Sequence, residues 1–271
     1  HILLNAGESR SPHGGTAGQS LPNWGPVANE GRGRTVAMTN IGRDADSLAS
    51  RREQVRSLLC TSAMAFHTED DEPGLMSTIL HEAAHNLGPA HEYQVDGKTD
   101  AQAFGGPLAS VFEELKAQTA ALWLTGWLLD DGTIDLERAR HTWLSDVVWA
   151  FAQVARGLTT PDGKPRTYPQ LAAIQLGWLL EHEAVSWHGA ELAANGADVG
   201  CFAVDMDQIR PAIDGLARAV LGIKARADKP AAEALQKAHV TGKAATARLW
   251  QTIAERWRRA PQATWVYALP R

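Results

Sequence analysis

Apolar positions along this 271-residue chain recur every three to four residues over most of its length, the period of helices with one buried face. The pattern predicts helices over 46–64, 73–87, 108–130, 135–157, 168–187, 207–225, 229–238 and 241–259. Breakers punctuate it at Pro73-Gly74, Gly88-Pro89, Gly105-Gly106-Pro107, Asp130-Asp131-Gly132, Pro161-Asp162-Gly163 and Asn195-Gly196. Residues 1–35 lack the period. They are rich in Gly, Ser, Asn and Pro, cannot build a core alone, and read as loop or extended chain lying on something else. A short strand is expected at Thr35–Asn40 and few strands after it. The fold class is therefore mainly α. An extended segment, 1–45, precedes a helical domain, 46–271, built of antiparallel neighbours.

Composition narrows the function. Hydrophobic residues make up 44% and charged residues 21%, the balance of an ordinary globular chain. A net charge of −5 argues against nucleic acid or an anionic membrane as partner. No apolar run reaches the roughly 18 residues of a membrane span. Cys60 and Cys201 are too few for a cysteine framework and read as two reduced, partly buried thiols, with the cytoplasm as favoured compartment. The chain opens on His1 rather than Met, so it reads as a processed product or a piece of something longer, and export stays open.

The chemistry lies in Leu75–Leu87, LMSTILHEAAHNL. Leu75, Ile79, Ala83 and Leu87 recur at helical spacing, so this helix is expected to turn that face to a core. His81 and His85 stand one turn apart on one side, a spacing from which two imidazoles reach one Zn²⁺ at ~2.0–2.1 Å. Glu82, the next residue, falls beside the open corner of such a site, where a carboxylate serves as general base. The other reading of the motif is two surface histidines and a solvated glutamate.

A third ligand separates the two, and there are two candidates. One is Glu114, in SVFEELKAQTAALWLTGWLL. With Leu115 at the centre of the apolar face, Glu114 falls at its border and Glu113 points almost opposite. A carboxylate at the edge of a core-facing stripe is costly to desolvate unless a positive group meets it. The other is His91, because HEAAHNLGPAH also fits HExxHxxGxxH. That architecture needs a methionine turn, and Met206 looks like a helix start.

HEAAH followed by EELKAQTAALWL is similar to the dipeptidyl-peptidase III family of zinc exopeptidases, especially its bacterial relatives. That resemblance implies His81, His85 and Glu114 as ligands of one zinc per chain, Glu82 as base and Glu113 as a partner orienting a ligand histidine. His91 becomes a loop residue near the site. GQSLPNWGPV resembles the family's substrate-binding stretch, which makes Asn5 and Asn23 contacts to the peptide backbone. Tyr168 falls roughly where the family supplies an oxyanion-stabilising histidine. There are departures: better-known members have one more residue between the histidines, and Gln118 stands where they usually have Glu. Those members are two-lobed and much longer, so a missing N-terminal lobe is an expected partner beside the peptide substrate.

The expected function is zinc-dependent peptide hydrolysis of the exopeptidase type. The alternatives are an endopeptidase with three histidines, and a zinc-stabilised helical binding module without turnover. His182 and Glu183 read as packing and border groups. Arg256, Arg258 and Arg259 read as a solvated face, and Gly31-Arg32-Gly33-Arg34 as a solvated loop.

Overall fold

The computed structural model describes residues 18–21, 26–29, 34–37, 45–89, 93–241 and 244–261. The N-terminal elements are strand β1 (Gly18–Leu21), the short helix α1 (Pro26–Asn29) and strand β2 (Arg34–Ala37). Helices α2 (Ala45–Leu58), α3 (Thr61–Met64) and α4 (Glu72–Ala84) follow. Next come a two-residue strand pair, β3 (Gln94–Val95) and β4 (Lys98–Thr99), and α5 (Asp100–Ala103). The body consists of α6 (Gly106–Asp130), α7 (Leu136–Ala155) and α8 (Thr167–Glu181). A hairpin, β5 (Val185–Leu192) and β6 (Val199–Val204), leads into α9 (Met206–Arg226) and α10 (Lys229–Gln236). A π-helical turn, Lys237–Thr241, joins α10 to α11 (Ala244–Arg259). The fold is mainly α, and the strands among the described residues pair as three two-stranded antiparallel sheets. No described helix is long and apolar enough to cross a membrane.

α6 is the centre. It packs against α4, α7, α8 and α9, and residues on every side of it are buried. Phe112, Leu115, Leu171, Ile174, Leu216 and Val220 form one core around its first half. Leu122, Trp143, Val147, Phe151, Leu176 and Ile213 belong to a larger core around its second half. Local chemistry starts the helices where the breakers predict. Asp135 accepts from the Arg138 amide at 2.8 Å to cap α7, Asp205 caps α9 and Asp228 caps α10. Met206 is the first residue of α9, as a helix start should be.

Several sequence expectations fail. The helix expected to run to 187 stops at Glu181, because Val185, Trp187 and their alternating neighbours pair with Val204 and Phe202 as a hairpin. There Gly200, at φ +90°, leaves room for the Trp187 ring, 2.3 Å from where a β-carbon would stand. The face of α4 bearing Ile79, Ala83 and Leu87 does not enter the core. Ile79 is 44% exposed and Leu87 49%, while the buried stripe is Pro73, Ser77, His81 and Ala84. Cys60 and Cys201 are not reduced thiols; they form a buried disulfide that ties the end of α2 to β6 across 141 residues. A crosslink closing so long a loop stabilises a fold by ~2–4 kcal/mol. Arg256 is not on a solvated face. It is buried, and its guanidinium donates to the carbonyls of Ser57, Gly200 and Val199 at 2.7, 2.6 and 2.7 Å.

Of the segment 1–45, the described strands pair with each other and lie against α4. The strand expected at 35–40 is described as Arg34–Ala37.

Candidate metal centre

α4 delivers two imidazoles to α6. His81 is buried and His85, the C-cap of the helix, is half-buried. Their rings meet edge to face with centroids 5.0 Å apart. Both Nε2 atoms point at one carboxylate oxygen, Glu114 Oε2, from 3.2 Å for His81 and 3.7 Å for His85. Donors bound at ~2.0–2.1 Å in a tetrahedral shell stand roughly 3.3 Å from one another, so the three atoms fit the corners around a single zinc ion. One ligand atom from each of His81, His85 and Glu114 lies within 4.8 Å of the others. Glu191, beside Cys60 and Cys201, makes no comparable set because both sulfurs are spent in the disulfide.

The far side of each ring is also engaged. His85 Nδ1 contacts Glu113 Oε1 at 2.9 Å. His81 Nδ1 contacts Gln118 Oε1 at 3.0 Å. With an ion at the centre, an acceptor behind Nδ1 would hold the proton there and leave the Nε2 lone pair for the ion.

Sequence reasoning put Glu113 opposite the core, and it is instead buried. The error has a physical source: the side of α6 that is open at Trp123 and Trp127 is covered at Glu113 by His85 of α4 and Lys224 of α9. Glu113 is compensated by two lysines. Lys116 Nζ lies 3.1 Å from Oε1 and Lys224 Nζ, from α9, 2.6 Å from Oε2. Lys224 is fully buried and also pairs with Asp100. Burial works to raise the pKa of Glu113, but the bond from His85 and both ammonium charges hold it well below the usual carboxylate range. Lys116 donates as well to the carbonyls of His85, Leu87 and Pro89 at 3.0, 3.3 and 3.4 Å. It thereby caps the carbonyl end of the ligand helix.

Behind His81 stands a different chain of groups. Gln118 Nε2 donates to Asp146 Oδ1 at 3.0 Å, and the Ser77 hydroxyl donates to the same oxygen at 2.8 Å. Burial drives the Asp146 carboxyl up to about 7 against the pull of those two donors and of His81. Neither Lys224 nor Asp146 emerged from the sequence. The available signal is a charge on an apolar stripe: Leu216, Val220 and Lys224 on α9, and Trp143, Asp146 and Ala150 on α7.

On the open side, the Tyr168 hydroxyl at the start of α8 lies close enough to the Glu114 carboxylate for each to shift the other's pKa. Burial, then the charges of Glu114 and Glu82, push that phenol upward, so it is held as a donor. Burial would raise the Glu114 pKa, and the bond and charge of the histidines, with Tyr168, lower it. His81 is disfavoured as a cation by burial, yet Glu114 and Glu82 outweigh this and raise its pKa. Glu82 is half-buried, and its charge is felt at both His81 and Tyr168. The site thus brings together His81, Glu82, His85, Glu113, Glu114 and Tyr168. Asn5, Asn23 and His91 lie outside the described residues.

No protein-family model matches the chain. It is 24% identical over 244 residues to Nudix hydrolase 3 of Arabidopsis thaliana, a match covering 89% of this chain and 29% of that protein. Among solved structures it resembles dipeptidyl-peptidase III from Caldithrix abyssi, at 20% identity and TM-score 0.73 over 91% of this chain and 43% of that one. It also resembles the dipeptidyl-peptidase III of Corallococcus sp. strain EGB, at 25% identity and TM-score 0.73 over 91% and 42%. The family resemblance read from two helices therefore extends to the fold of nearly the whole chain. The chain spans under half the length of those solved chains and under a third of the curated protein.

Proposed function

We propose that this chain is the zinc-binding part of a metallopeptidase of the dipeptidyl-peptidase III type. One observation supports the reading: His81 Nε2 and His85 Nε2 converge on Glu114 Oε2 at 3.2 and 3.7 Å, and Glu82 is the residue after His81 on the same helix. The donor set of two neutral imidazoles and one carboxylate suits zinc with a fourth position left for water. Zinc held there would supply Lewis acidity toward a peptide carbonyl and bring water activation down to neutral pH.

The chain's own groups do the rest. Glu82 takes the proton of the attacking water and delivers it to the leaving amine. Tyr168, kept protonated, turns its hydroxyl toward the oxyanion once the Glu114 carboxylate is engaged. Glu113 and Gln118 keep both imidazoles in the ligand tautomer. Exopeptidase action on short peptides rests on the likeness to the two solved dipeptidyl-peptidases. Residues 1–45 would contribute the peptide-facing edge, with Asn5 and Asn23 as contacts, beside a lobe supplied elsewhere. The buried disulfide favours an oxidising compartment over the cytoplasm.

The chain covers less than half of each solved relative, so a zinc-stabilised module without turnover is the competing reading. Glu82→Ala decides between them on a peptide library. A peptidase loses at least ~10²-fold in rate and keeps its zinc. Equal cleavage by both proteins overturns the peptidase mechanism.

A further inference from the structure

His81 does not meet a carboxylate directly on its far side. It meets an amide, and an amide can be turned end for end, offering either C=O or NH₂ to the ring. What Gln118 offers is decided one step further out. Asp146 Oδ1 accepts from both the Ser77 hydroxyl and Gln118 Nε2. With the NH₂ end drawn to Asp146, the C=O end is left for His81 Nδ1. The reversed amide would set its carbonyl against the Asp146 oxygen and its NH₂ against His81. The ring would then have to accept at Nδ1 and carry its proton on Nε2, against the ligand position.

We propose that Asp146 is a positioning residue for His81: acting through the Gln118 amide, it selects which ring nitrogen faces the metal corner. The inference rests on the zinc-site reading. Geometry supports it twice over. The relay spans three helices, with Ser77 and His81 on α4, Gln118 on α6 and Asp146 on α7, so it couples their register to the ligand. Asp146 is also an expensive choice for packing alone. It is buried among Trp143, Val147 and Ala150, and its second oxygen has no partner among the described residues.

The test uses the whole chain and reads two things: zinc affinity by competition with a chelator, and the His81 tautomer by ¹⁵N NMR in zinc-free protein carrying Glu114→Leu, so that no carboxylate competes for a proton at Nε2. With Gln118 and Asp146 intact, the His81 proton should sit on Nδ1. Asp146→Asn, nearly isosteric, and Asp146→Leu should shift the proton toward Nε2 and weaken zinc binding by about 10–100-fold. The double variant Gln118→Glu/Asp146→Asn moves the carboxylate next to the ring and gives it an amide donor from behind. It should restore the Nδ1 proton and bring zinc affinity back to within about threefold, a rescue that a purely structural role for Asp146 does not predict. An unchanged tautomer and affinity in both single variants, or a double variant as weak as Asp146→Asn, overturns the inference. Should wild type bind no zinc while the tautomer still follows Asp146, the zinc reading fails and the relay stands.

Discussion

His81 and His85 leave the same side of α4 and aim at the same Glu114 oxygen, yet they are backed in different ways. Behind His85 is an ionised carboxylate, Glu113, compensated by Lys116 and by Lys224, which it shares with Asp100. Behind His81 is a neutral amide, with the nearest carboxyl one residue further away and close to half-protonated at neutral pH. The comparison teaches how one site can hold two ligands without accumulating negative charge. The charge behind His85 is neutralised by lysines, and the charge behind His81 is moved outward, so Glu114 and the nearby Glu82 set the field at the ion. The two walls should also fail differently, because a compensated buried charge and a neutral relay have different costs of disruption.

The largest effect is expected from Glu113→Gln. It leaves Lys116 and Lys224 with less compensation in a dry environment, and breaking such a network costs ~3–5 kcal/mol. Urea denaturation should show that loss together with weaker zinc binding. A variant as stable as wild type would mean that the lysines are satisfied elsewhere.

Next comes the pH dependence of the zinc-free protein, which probes the other wall. Asp146 titrates at about 7 when folded, against 3.8 as its ordinary value. Between those values the folded state keeps a proton that the unfolded chain has shed, so stability falls as pH rises from about 4 to about 7 and is level above. The drop is on the order of 4 kcal/mol. His81, whose pKa is raised above its ordinary 6.5, adds a separate fall of the same sign that begins only above that pH. Most of the slope should vanish in Asp146→Asn; an undiminished slope there assigns it to other groups.

The smallest effect is expected on the open side. Tyr168→Phe removes a hydroxyl that interacts with Glu114, an effect of at most ~0.5–1.5 kcal/mol. Zinc affinity should change by less than roughly tenfold, while peptide turnover falls further if the hydroxyl also serves the oxyanion. Equal losses in both would confine Tyr168 to holding the ligand.

What the sequence makes legible follows from what periodicity encodes. His81 and His85 are visible because four residues is one turn, and Glu114 because it borders an apolar stripe on a helix long enough to pack beside them. Glu113 is misplaced because stripe reasoning cannot see that His85 and Lys224, from other helices, cover that stretch of α6. Ile79 and Leu87 are misplaced for the converse reason: the side of α4 that looks apolar faces outward, and the one that enters the bundle carries Ser77 and His81. The β5–β6 hairpin hides because Val185 continues an apolar helical run before the period changes to two. Spacing alone does not pair two cysteines 141 residues apart. Lys224 and Asp146 are each one charge in an otherwise apolar row, and their partners come from other helices.

The central claim is that His81, His85 and Glu114 share one ion. Anomalous scattering at the zinc edge, from crystals grown with one equivalent of zinc, tests it most directly. The account predicts one peak per chain, about 2.0–2.1 Å from both Nε2 atoms and from a Glu114 oxygen, with Glu82 beside the fourth corner. A peak elsewhere, or a site that fills without Glu114, contradicts it.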